Sequence, residues 1–294
     1  MTEEPITSQA GPGHVRKNAG EWVVGVGGLL ALVVFSVLAI AAGVTWKLLA
    51  ISWTAFGAMA VGAPLGARAA TSSHPLEPVW GYGLASGAMV TSAALFLVPQ
   101  ALDQHSQFGS LGIAVGFVAG YVGHTLGHRF THLELPVDRT TAELTAHALA
   151  AGAIIGAIYT AMPSLTSILG VALVSHKAPA GYAAARRLAA QERSVVALLL
   201  PAAAVGSIAL PVGIVGSTPS IAIRGLLFGV AAGVFLHVAV DLLPECTAGS
   251  ETCPADADID GDFHQFQDRL RTHAAISAVV GGSAIVLVWL LVVA

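Results

Sequence analysis

The chain is short of charge. Asp, Glu, Lys and Arg make up only 10% of its 294 residues, against about 25% in a soluble domain, so it lacks the polar surface that a water-facing globule of this size needs. Its 13 Lys plus Arg against 17 Asp plus Glu leave a net charge of −4, which supplies no basic field for a phosphate backbone and excludes nucleic acid as a partner. Cysteine is scarcer still. Cys246 and Cys253 lie in one acidic stretch, and two cysteines do not staple a chain this long. The alternating polarity of a membrane barrel strand is missing too. What remains is apolar: 55% of residues are hydrophobic and the mean hydropathy is +0.77. The chain reads as an all-α polytopic membrane protein whose constant partner is membrane lipid.

A bilayer core takes about 20 apolar residues per helix, and such stretches recur near 22–42, 48–69, 80–101, 109–128, 142–161, 164–185, 194–215, 221–244 and 273–293, which makes about nine spans in a single domain over 22–293. The first is longer than the apolar region of a signal peptide and is kept as an uncleaved helix. Residues 1–21 form a tail, 129–141 a histidine-bearing loop and 245–272 an acidic loop. The run Asp256 to Asp262 lacks the twelfth-position Glu of a calcium loop and reads as a solvated linker.

Orientation follows from the basic residues. With the N-terminus inside, Arg16, Lys17, Arg68, Arg129, Arg139, Arg186, Arg187, Arg193, Arg269 and Arg271 fall on the cytoplasmic side, and only Lys47 and Arg224 fall outside. That asymmetry predicts a multi-pass protein of the plasma membrane with a cytoplasmic N-terminus and an external C-terminus. Lys177 falls within a span.

Ionisable residues at membrane depth are costly and point to function. The third span carries Met89 and ends near Asp103, the fifth carries Glu143 and His147, the sixth His176 and Lys177, and the eighth His237 and Asp241, with Glu245 beyond. Residues four apart share one helix face, and imidazole with carboxylate on facing helices is ligand chemistry for zinc, iron or manganese. Taken singly, each His reads as a residue that hydrogen-bonds a neighbouring helix's carbonyl; together, on three helices, they suggest a polar pathway. His124, His128 and His132 fit one face at a helix end, either as collectors of metal leaving a pore or as a solvated terminus.

The order of these motifs resembles the ZIP family of divalent metal transporters. The segments "ASGAMVTSAALFLVPQALD" (Ala85 to Asp103) and "GVAAGVFLHVAVDLLPE" (Gly229 to Glu245) are similar to the family's third-helix ending and its FLYVA…PE helix, and "HALAAG" (His147 to Gly152) and "HKAPAG" (His176 to Gly181) stand where it carries HNxPEG and HExPEG. The resemblance implies an eight-helix core plus an extra N-terminal helix. It also implies His147 and His176 as metal ligands, Met89 as a soft ligand on the way in and Asp103 as an outer recruiting carboxylate. Glu143, Asp241 and His237 are the candidate displaced donors. The motif glutamates are replaced by Ala151 and Ala180, the Asn by Ala148, and Lys177 follows the second His. An ammonium about 4 Å from a metal site costs about 4 kcal/mol against a dication per unit charge at an effective dielectric of 20, so Lys177 is either neutral or a tethered cation in place of a second metal; the other reading is that it snorkels toward an interface.

The expected function is therefore ZIP-type movement of Zn, Fe or Mn toward the cytoplasm without ATP, the metal being cargo and no cofactor being fixed. No P-loop is present, and neither an HExxH nor a GxSxG motif suggests an enzyme. Two other readings stay open: a membrane protein that binds or senses metal through His124, His128 and His132 without moving it, and a permease for another polar solute with Lys177 as counter-charge. A homodimer is also left open.

Overall fold

The computed structural model describes residues 13–70, 76–127, 137–216, 219–243 and 262–293, and among these all regular structure is helical. The helices are α1 (Gly13–Ala41), α2 (Trp46–Ala69), α3 (Leu76–Ser92), α4 (Val98–Gln104), α5 (Ser106–Gly127), α6 (Arg139–Ala161), α7 (Ser167–Val174), α8 (Lys177–Ala190), α9 (Leu199–Val215), α10 (Ile221–Asp241) and α11 (Asp262–Val293). A π-helical turn, Ala93–Leu97, joins α3 to α4 just before Pro99; the proline has no N–H for the carbonyl four residues back, and the wider turn accommodates its ring. Asp138 caps α6 by accepting from Thr140 N at 2.8 Å, and Ser220 caps α10, as short polar side chains do at orphan amides. Gly216, in the left-handed region, closes α9.

Eight helical segments among the described residues are long and apolar enough to cross a membrane. The sixth expected span, 164–185, is instead two pieces, α7 and α8, separated at Ser175 and His176. The cause is Pro179 in the first turn of α8: it donates nothing to the carbonyl of Ser175, and its ring crowds that carbonyl. Two boundaries also move. Helix α1 begins at Gly13, inside the expected tail, and α11 begins at Asp262, inside the expected acidic loop.

The broken pair still accounts for a crossing, because close approaches at glycine fix helix directions. A Cβ on Gly152 would meet the Val205 carbonyl and one on Gly156 would meet Ala209, so α6 and α9 run parallel. The chain between them must therefore return across the layer, and α7 with α8 is that return. Rising contacts of the same kind make α2 parallel to α7 and α8 (Ile51 at Gly170, Gly62 at Ala178, Gly66 at Tyr182), α5 parallel to α10 (Gly116 at Val230, Gly120 at His237) and α3 parallel to α11 (Gly83 at Ser277, Gly87 at Ala278). Every pair agrees with nine alternating crossings.

Polar contacts at the ends agree. Glu21, Asp138 and Arg193, at the starts of crossings one, five and seven, form one cluster, with Arg193 Nη2 donating to Glu21 Oε1 at 2.7 Å and Ser194 N to Glu21 Oε2 at 3.2 Å. On the opposite side Lys47 Nζ donates to the carbonyls of Pro163 and Leu165.

The last eight crossings also pair symmetrically. Crossing two packs on six as seven packs on five, and four packs on eight as nine packs on three. Exchanging two with seven, three with eight, four with nine and five with six reproduces the same pairings, and each exchange swaps helices of opposite direction. This is an inverted arrangement of three, two and three crossings, with α1 added against α9; in such folds binding sites gather at broken helices near the midplane. The two central crossings are α6 and the broken α7 and α8. Stripes of small residues allow the close approach that van der Waals packing needs where lipid supplies no hydrophobic drive.

Candidate functional site

The break in the sixth crossing puts His176 at the N-cap of α8 and Lys177 at its first residue. Ser167 to His176 rises about 13 Å at 1.5 Å per residue, so both lie well inside the layer. His176 and Lys177 are 3% and 1% exposed. Across from them α6 presents His147, with ring centroids 5.6 Å apart and the planes near perpendicular. Two central crossings thus bring together the two histidines that the sequence named.

Phe235 of α10 closes the third side. Its ring centroid lies 5.0 Å from that of His176 and 6.4 Å from that of His147. Beyond His147, a cavity of about 20 Å³ runs between α6 and α10, lined by Ala150, Ala151, Ile154, Ile155, Ala231 and Val234. It has room for one water-sized group. Ala151 is the position that holds Glu in the resembled motif, so the space lies where a carboxylate is missing. Ala180, at the other motif position, turns the opposite way and packs with Met59 and Ala202.

Two polar atoms here are buried without a hydrogen-bond partner, His147 Nε2 and Lys177 Nζ. Buried polar groups are nearly always satisfied, so such atoms call for an explanation in function. Lys177 follows His176 directly at the start of α8 and is 1% exposed, with its Nζ buried. It does not snorkel to an edge.

The remaining candidates lie elsewhere. His237 is two residues from Phe235, about 200° around α10, and faces α5, where it packs edge-on against Phe117 and Tyr121. Its Nε2 donates to Asp241 Oδ2 at 3.0 Å. Glu143 is exposed one turn before His147, and Asp103 is exposed at the end of α4. Met89 is wholly buried in the central core with Ala148, Val174 and Phe235. His124 lies on α5, and its side chain is outside the described residues, as are His128 and His132 entirely. Glu245 and both cysteines lie outside them too. Among the described residues, no three of His, Cys, Asp and Glu converge on one point.

Phe235 was not singled out from sequence, and Pro179 only as the proline that HKAPAG shares with the resembled motif. Phe235 carries no polar atom, and its role comes from facing two imidazoles across a helix pair; Pro179 was visible as the third residue after His176. No family model matches the chain, and no curated protein matches it.

Proposed function

We propose that the protein is a ZIP-like transporter of divalent metal, Zn, Fe or Mn, carrying its cargo toward the cytoplasm without ATP through the two central crossings. The observation that carries this reading is the contact between His147 and His176. Residues 29 positions apart by their numbering, picked by motif resemblance and set on different crossings, meet at a broken helix inside the bundle. Neutral imidazoles are good ligands for such metals, and a helix break frees backbone carbonyls to add to them. His147 and His176 are the proposed ligands, Phe235 the apolar wall, and the cavity beside Ala151 the approach. His237 with Asp241, Glu143, Met89 and Asp103 serve outside this centre as candidates along the way. The basic-residue asymmetry supports a plasma-membrane protein with its N-terminus in the cytoplasm.

The test is zinc uptake into proteoliposomes loaded with a zinc-sensitive dye. Uptake by the wild type and its loss in the His147→Ala, His176→Ala double variant is the expected result. Undiminished uptake by the double variant removes the proposed site.

A second reading draws on Lys177. A buried cation beside two histidines suits a permease for an anionic solute, and uptake of no metal by the wild type would favour it.

A further inference from the structure

We propose that Tyr182, Arg186 and Glu77 form a gate between the central site and the end of the bundle that holds Arg193, and that breaking the Arg186–Glu77 ion pair opens it. Only the direction in which cargo leaves rests on the transport reading above.

The cavity at the site is one-sided. Its lining on α6 begins at His147 and continues to Ile155, and its lining on α10 runs from Ala231 to Phe235. Helix α6 runs away from the Arg193 end and α10 runs toward it, so this space lies on the far side of the rings. On the near side α3 and α8 close together. They are antiparallel: Arg186 Nη1 stands 3.7 Å from Glu77 Oε2, and one turn deeper a Cβ on Gly81 would lie 3.4 Å from the ring of Tyr182. The same register carried one turn further places Ala85 level with Ala178, next to Lys177. Glu77, Gly81 and Ala85 recur every four residues and so share the face of α3 turned to α8. Ala85 is 1% exposed. Glycine at position 81 lets the tyrosine ring lie flush against α3, and the ion pair holds the two helices together beneath it.

The pair joins two groups of helices. Helix α3 packs mainly on α11, whereas α8 packs mainly on α2, and the groups meet along this seam. The cluster of Glu21, Asp138 and Arg193 differs, since it ties together α1, α6 and α9, which pack on one another. The facing atoms Arg186 Nη1 and Glu77 Oε2 are buried, yet the two side chains are 18% and 39% exposed. An ion pair that water can reach contributes little to stability, which suits a contact that parts and re-forms more than one that fastens the fold.

The experiment uses the full-length protein in detergent micelles with Cys246→Ser, Cys253→Ser and Ala85→Cys, and follows modification of the thiol at position 85 by a charged methanethiosulfonate reagent. Glu77→Gln is expected to speed modification about threefold, the shift that loss of a partly exposed ion pair gives a two-state equilibrium. The exchanged pair, Glu77→Arg with Arg186→Glu, should restore the slow rate, and Glu21→Ala, which cuts an ion pair within one group, should leave it slow. Equal rates with and without Glu77→Gln, an acceleration that the exchanged pair does not reverse, or the same acceleration in Glu21→Ala overturns the gate. If Ala85→Cys does not fold, Lys177 in the otherwise native chain serves as the probe. Faster modification of its amine by a charged acylating reagent in Glu77→Gln then supports the gate, and an equal rate overturns it. Zinc uptake separates this inference from the transport reading. Faster modification with no uptake by the wild type supports the gate and overturns the metal reading; uptake with equal modification rates supports the metal reading and overturns the gate.

Discussion

Arg193 and Lys177 are both cations held by the fold, and they are treated in opposite ways. Arg193 sits at the edge of the bundle, where Nε and Nη2 both donate to Glu21 Oε1 at 3.0 and 2.7 Å and Asp138 lies 4.0 Å away. Glu21 is itself only 2% exposed, and its second oxygen accepts from Ser194 N. The charge is answered, and the cluster fastens α1 to the core at the starts of crossings five and seven. Lys177 lies deep in the bundle, with Nζ unanswered by any hydrogen bond. An answered charge holds structure together. A buried one left without a hydrogen bond weakens it.

Three substitutions put this contrast at risk. The largest stability effect is expected from Glu21→Ala, which leaves Arg193 and the Ser194 amide without their acceptor. Breaking a buried ion pair costs about 3–5 kcal/mol; Arg193 is 31% exposed and water recovers part of that, so a loss of about 2 kcal/mol is expected from chemical denaturation in mild detergent. No measurable loss would mean that the cluster is not a fastening. Arg193→Lys keeps the charge and removes the fork, with an expected cost of about 1 kcal/mol for the lost charged hydrogen bond, read as a Tm between those of the wild type and Glu21→Ala.

Lys177→Met should have the smallest effect and the reverse sign. Replacing an unpartnered buried ammonium by an apolar chain of similar length is neutral or slightly stabilising. A loss comparable to that of Glu21→Ala would show that Lys177 is structural and end the contrast.

The expected crossings correspond closely to the helices found, because each is a long apolar run and hydropathy reads such runs directly. The sixth does not. Its residues are as apolar as a span requires, but Pro179 breaks it, and the discontinuity that positions His176 and Lys177 depends on one ring against one carbonyl. In the site, His147 and His176 were legible through their motifs and lie together. His237 and Asp241 were grouped with them by helical spacing, yet spacing along one helix does not say which neighbour that helix turns toward; His237 faces Phe117 and Tyr121 instead. Phe235, two residues away, faces the imidazoles.

The sequence by itself determined that this is an all-α polytopic membrane protein and where its long apolar runs lie, since length and hydropathy are properties of the chain alone. Only the tertiary structure decided which crossings pair, that the second half inverts the first, and that two histidines and a lysine share one buried centre. Those outcomes depend on helix rotation and on glycines that let particular backbones approach, and neither is written in the order of apolar and polar residues.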